Sequence, residues 1–240
     1  MSSQLPLSIA ATLLLTAVPC HSEPARTGVR PVGVVSTREA GHIATRLLVA
    51  RSAKLKKLAW LEAETTYEPG RGMRYRVVRE GGDAGIRRRV LRKVLDNEVE
   101  ISGPAAAAQA AITDANYVMN AGESGTVRLT PRRREPVLID GVATLDAHGQ
   151  LRRIEGRLSK SPSFWVRSVQ LTRSYELVEG RSLPVHVESV ADVKFAGDCE
   201  FSMWIDYTSV DGQPVRRVVA RREPPTSVAA PLLIALQQTQ

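Results

Sequence analysis

Two guanidinium groups interrupt an otherwise apolar surface. In segment 156–175, GRLSKSPSFWVRSVQLTRSY, the residues Trp165, Val169, Leu171 and Tyr175 share one strand parity, which Leu177 continues, and Arg167 and Arg173 share it too. Side chains alternate across a strand, so these arginines are expected on the greasy side. An unpaired cation is costly to bury. Either the strand twists or lies at an edge, with the arginine stems packed and their heads in water, or the two arginines stand at the rim of a cavity. There they would meet an anionic or carbonyl group of a ligand.

Residue types that perform catalysis do not assemble in the sequence. The histidines are His21, His42, His148 and His186, none at ligand spacing to another, whereas a zinc site wants three or four converging donors. No nucleophile elbow, phosphate loop, dinucleotide fingerprint or calcium loop occurs. Glu188 with Asp192, and Glu200 with Asp206, fall on wet strand faces. Cys199 sits at a turn-to-strand junction with no histidine nearby in sequence, which suits a small semi-buried hydrophobe better than a nucleophile. The reading is of a non-catalytic protein without metal or cofactor. Carboxylates converging from distant strands, or a buried Ser–His pair, would reveal a hydrolase instead.

The elements that position these residues follow from periodicity. From Val137 to Tyr207 apolar and polar residues alternate, broken by turn residues at 147–149, 160–162, 179–180, 196–198 and 211–212. After Pro184, Val185, Val187, Ala191, Val193 and Phe195 share one face; in the next strand Phe201, Met203, Ile205 and Tyr207 do so. Five such strands joined by short turns make a meander whose apolar side must be covered or filled. Upstream, Ser36-Thr37-Arg38-Glu39 has capping-box spacing, and Ile43, Leu47 and Ala50 give the stripe of a first helix. Residues 56–67 and 73–79 read as a hairpin around Pro69-Gly70-Arg71-Gly72. A second helix is expected over 85–98, with Ile86, Val90, Val94, Leu91 and Leu95 on one side, and a third from Pro104 to about Thr113. Short strands near Tyr117 and Val127 precede the meander.

The 240 residues suffice for one large β-rich domain. Residues 1–22 read as an export signal, because Leu5–Val18 has the length of a signal core and is too short to span a bilayer. Residues 23–35 then form a flexible lead, 36–222 the single domain and 223–240 a disordered tail. The formal charge of +8 comes from 27 Arg and 6 Lys spread along the chain. The runs 87–89 and 132–134 lack interleaved stacking aromatics, so a nucleic-acid partner is not expected. Peripheral attraction to an anionic membrane surface stays open. Aromatic residues make up 5% with no two-girdle pattern, which speaks against an outer-membrane barrel.

The element order and the segments GDAGIRRRVLRKVLDNE, NYVMN, LTPRRREPVLIDGVATLD, GRLSKSPSFWVRSVQLTRSYE and LPVHVESVADVKFAG resemble the LolA/LolB-like, outer-membrane lipoprotein-sorting-like superfamily. The likeness covers roughly residues 36–215. It implies an α+β fold: a curved antiparallel sheet, an unclosed β-barrel, with two or three helices covering its concave apolar face. It also implies a periplasmic monomer that holds a lipid or lipoprotein acyl chain, or in regulatory relatives a peptide. The lack of an acceptable lipobox at Cys20 argues against a membrane-tethered member. On this reading the ligand-facing residues are Trp165, Val169, Leu171, Tyr175, Val187, Ala191, Val193, Phe195, Phe201, Met203, Ile205 and Tyr207, with Arg167 and Arg173 at the rim. An envelope protein partner, with the hollow filled by the protein's own side chains, is the alternative.

Overall fold

The computed structural model describes residues 40–216, 222–225 and 227. The expected signal, the flexible lead, the 36–39 capping box and most of the expected tail lie outside the described residues. The strands are β1 (His42–Ser52), β2 (Lys57–Glu68), β3 (Gly72–Gly82), β4 (Tyr117–Ala121), β5 (Thr126–Pro131), β6 (Ile139–Leu145), β7 (Leu151–Leu158), β8 (Val166–Val178), β9 (Arg181–Val193), β10 (Gly197–Val210) and the short β11 (Gln213–Pro214). They form one curved, unclosed antiparallel sheet in the order β3-β2-β1-β10-β9-β8-β7-β6-β5-β4, with β11 added to β10. The five-strand meander expected from the alternation is β6 to β10, and the hairpin is β2–β3.

The first expected helix is a strand. Residues 47–50, Leu-Leu-Val-Ala, lie in β1, which pairs with β2 on one side and β10 on the other. Leu48 and Ala50 point into the main core, while Leu47 and Val49 pack outward with Trp204, Leu58 and Trp60. A strand covered on both faces carries a continuous apolar run, and such a run contains a helix-like stripe by accident. Loss of this helix makes the fold mostly β. Among the described residues the helical content is one 18-residue segment over 84–101, followed by the short helix Pro104–Ala110.

That long segment has a local cause. Asp83 caps it, its Oδ1 accepting from the Ile86 N–H at 2.9 Å, and its other oxygen meets Lys57 Nζ at 2.9 Å. Residues Arg87–Leu91 are wound as a π-helix before the α-helix Arg92–Ile101, an insertion that rotates the apolar stripe. Leu91, Val94 and Leu95 are fully buried against the sheet. Because β3 and β4 are the two outer strands, residues 83–116 must cross the hollow from one edge to the other. Curvature needs close strand approach on the far side. Gly141 and Gly156 sit opposite each other on β6 and β7, and a Cβ on either would clash with the facing backbone. No helix among the described residues is long and apolar enough to cross a membrane.

Candidate functional site

Between the first turns of the helical segment and the ends of β1, β9 and β10 lies a cavity of about 260 Å³. Its floor is Ala50, Ala191, Val193 and Phe201, its roof is Ile86 and Val90, and Leu55 and Ala196 close one end. Small residues on the floor are what leave the space. The π-helical stretch places Val90 and Arg89 over it. Two polar groups enter this greasy wall. Ser189 is buried, and its hydroxyl has no hydrogen-bond partner among the described residues. Cys199 is half-buried with its thiol pushed up by burial, so it stays protonated at neutral pH. The mouth carries two ion pairs, Lys57–Asp83 and Arg51–Glu200 at 2.6 Å, and the guanidinium of Arg89 beside them. A second depression, of about 280 Å³ beside β8–β10, is walled by Glu176, Glu179, Asp206 and Arg222 as well as Trp204. Its wall is more polar than that of the first, whose charges gather at the mouth.

Deeper in the hollow lies a polar cluster. Arg46 on β1 forms an ion pair with Glu98 of the helical segment, and Arg46 Nε donates to Thr65 Oγ1 at 3.2 Å. Arg173 is 3% exposed and donates to the Tyr175 hydroxyl at 3.3 Å. The Tyr207 hydroxyl donates to the Pro184 carbonyl at 2.8 Å. Burial pushes Glu98 up to about 7 against the opposing pull of Arg46 and Arg173. The space among His42, Arg46, Glu98 and Tyr207 is about 30 Å³, too small for an organic ligand. This cluster ties the helical segment to the sheet. Among the described residues no group of three or more His, Cys, Asp or Glu is placed to hold a metal ion.

The structure brings Ala191, Val193 and Phe201 to the cavity wall. Val169, Leu171, Tyr175, Val187, Met203, Ile205 and Tyr207 are buried in the main core. Four residues stand elsewhere. A bulge between Val166 and Ser168 shifts the register of β8, so Val166 takes the inward place and Trp165 falls in the preceding turn, half-buried. For the same reason Arg167 points outward to Asp192 at 3.5 Å and is not at the cavity rim. Arg173 keeps the inward parity but lies inside the core among tyrosines, not at a mouth. Phe195 is in the β9–β10 turn and 74% exposed, because the strand ends two residues before it. Glu98, Arg46, Ser189 and Arg89 had no local signal; their neighbours come from strands and helices far apart in the chain.

The outer face holds His186, stacked on Trp204 at 4.9 Å, while His42 stacks on Tyr67 inside at 5.2 Å. Burial lowers both histidines to about 4. Their folded pKa lies below the unfolded value of 6.5, so between those limits only the unfolded chain takes up protons, and stability is lost as pH falls from 6.5. Glu98 and Glu188, both raised by burial, work the opposite way, the Glu188 shift being the smaller. We expect the denaturation midpoint to drop on going from pH 6.5 to 4.5, and His42→Phe to flatten that slope, by on the order of 2 kcal/mol across the interval. Urea titrations at three pH values check this; an unchanged slope would show that His42 titrates normally.

No protein-family model matches this chain, and no curated protein matches its sequence.

Proposed function

We propose that the protein is a non-catalytic carrier or sensor that holds a hydrophobic ligand, a lipid or lipoprotein acyl chain, between the curved sheet and the helical segment. The observation that carries this reading is the apolar cavity of about 260 Å³. An engineered apolar cavity of about 150 Å³ already binds benzene, so this one has room for part of an acyl chain. Each methylene transferred from water contributes roughly 0.8 kcal/mol. The buried, unpartnered Ser189 hydroxyl and the Arg89 guanidinium would meet the polar end. An unclosed sheet strapped by one helical crossing also suits the LolA/LolB-like resemblance, and the Leu5–Val18 segment points to the periplasm. One observation favours the alternative, an envelope protein or peptide partner: Leu48, Leu61, Leu91, Leu95, Leu129, Ile154 and Met203, all fully buried, fill much of the rest of the hollow.

An anthroyloxy fatty acid should bind the delipidated protein saturably at one site, and Ala191→Phe should weaken that binding at least tenfold while the fold survives. Overpacking costs about 1–3 kcal/mol, so the melting temperature is recorded alongside. Absence of probe binding, together with a tolerated or stabilising Ala191→Phe, would leave the cavity an ordinary packing defect and favour the partner-binding reading. Native mass spectrometry of protein from an envelope extract reads both a retained lipid and the N-terminus; a chain still beginning at Met1 contradicts export.

A further inference from the structure

Three connections meet at one end of the sheet: β1–β2 (residues 53–56), β7–β8 (159–165) and β9–β10 (194–196). Pairing places them together, with Ser52 opposite Cys199, Gly197 opposite Val193 and Val193 opposite Val166. Lys194 N donates to the Trp165 carbonyl at 2.8 Å, and Ser52 Oγ to the Ala196 carbonyl at 3.2 Å.

This end displays large apolar side chains to solvent. Phe164 is 76% exposed and Phe195 74%, the two most exposed large hydrophobic residues described. Trp165 lies between their rings, 5.5 Å from one and 6.0 Å from the other. Leu55 is exposed in the neighbouring turn. Phe195 adopts φ 68°, the left-handed region that a bulky side chain enters only at a cost. The turn therefore strains its backbone to hold a phenyl ring in water, and the core gains nothing from it. Singly scattered apolar residues need no explanation, but a contiguous aromatic group does.

Cations surround this group. The chain has six lysines, and five of them, Lys54, Lys56, Lys57, Lys160 and Lys194, belong to this end. Lys194 Nζ stands 3.5 Å above the Phe164 ring, and Lys54 packs beside Gly197. Lys57, Arg51 and Arg167 are matched by Asp83, Glu200 and Asp192. Lys54, Lys56, Lys160 and Lys194 form no ion pair among the described residues. Aromatic residues settle at the headgroup level of bilayers, and lysines there draw on the negative surface potential of anionic lipid.

We propose that this end is a membrane-docking tip, in which Phe164, Trp165 and Phe195 enter the headgroup layer of an anionic bilayer and the lysines hold its phosphates. Leu55, Lys57, Val193 and Ala196 of the same end also line the apolar cavity. Docking therefore sets the Leu55–Ala196 end of the cavity against the lipid surface, although docking itself does not depend on the ligand reading.

The test uses Trp165 as reporter, because the apolar Leu5–Val18 stretch of the full chain can pellet with vesicles by itself. With vesicles of equimolar phosphatidylglycerol and phosphatidylcholine carrying brominated acyl chains, part of the tryptophan emission should be quenched, and Trp165→Phe should abolish that part. Phe164→Ser with Phe195→Ser should lower vesicle affinity at least tenfold. Lys54→Gln with Lys194→Gln should lower it by about twenty-fivefold, fivefold for each charge, and pure phosphatidylcholine should bind weakly. All four side chains are exposed or at turns, and unaltered circular dichroism confirms that the variants fold. Quenching that is absent, or that survives in Trp165→Phe, overturns the proposal. So does an affinity unchanged by the paired phenylalanine variant, which would assign this surface to a protein partner.

Discussion

Replacing Met203 by Asp will unfold the domain. Met203 is fully buried at the centre of β10, between Leu48 of β1 and Val187 of β9, both also without exposure worth noting. The nearest buried cations, Arg46 diagonally across β1 and Arg173 beside Val187 on β8, are already engaged by Glu98 and the Tyr175 hydroxyl. An unpaired charge there costs several kcal/mol, or forces the aspartate to bind a proton, and a domain of this size has only about 5–15 kcal/mol in hand. Thr208→Asp, five residues along the same strand on the exposed outer face, should cost less than about 1 kcal/mol. Chemical denaturation followed by circular dichroism compares the two. Equal losses would mean that the faces of β10 have been assigned the wrong way round, since a slip of one residue exchanges them.

Arg46→Ala should be nearly as damaging, for a different reason. The variant leaves Glu98 buried with its ion-pair partner removed, and breaking a buried pair from one side costs about 3–5 kcal/mol. The loss has a pH signature. Glu98 already has a folded pKa of about 7 against 4.5 unfolded, and without Arg46 burial pushes it higher still. Across that window the folded chain keeps a proton that the unfolded chain releases, so raising the pH favours unfolding. The penalty in Arg46→Ala relative to the native chain is therefore full only above the variant's raised pKa, shrinks as pH falls toward 7, and changes little below 7, where Glu98 is protonated in both folded chains. Arg46→Met with Glu98→Leu removes both charges and should recover most of the stability, because apolar substitutes of similar size often match a buried ion pair. A double variant no better than the single one would show that packing at Arg46, not charge, holds the helical segment to the sheet.

Local rules went far toward the fold. Period-two alternation located β6 to β10 and most of their turns, since each of those strands has one covered and one wet face; the β9–β10 turn falls at 194–196, two residues before the expected 196–198. Pro69-Gly70-Arg71-Gly72 marked the β2–β3 turn, where Gly70 and Gly72 both adopt positive φ. The apolar repeat at Ile86, Val90 and Val94 located the long helical segment. These signals lie within a few residues of one another and need no distant partner to be legible.

Where a residue's surroundings came from elsewhere, the same rules misled. β1 looked helical because its outer face is covered by Trp204 and Trp60; a strand buried on both sides loses its alternation. The bulge at Val166 moved Trp165 and Arg167 off the inward face, and nothing in the local spelling of that strand announces an extra residue. Arg173 was legible as an arginine on a greasy parity, and the structure places it inside, beside the Tyr175 hydroxyl, in an environment supplied by several strands and the helical crossing.

Apart from β1, the amino-acid sequence by itself determined the elements of this protein: strands, turns and one amphipathic helix, written in the spacing of adjacent side chains. Only the tertiary structure decided that β1 lies beside β10, 42 against 210 along the chain, and that the 83–116 crossing spans the sheet from edge to edge. Those two pairings create the 260 Å³ cavity, the Arg46–Glu98 contact and the aromatic, lysine-rich tip. The reason is physical: a side chain's local preference depends on its near neighbours, whereas a cavity or a buried ion pair depends on which distant surfaces close over it, and chain spacing carries no record of that.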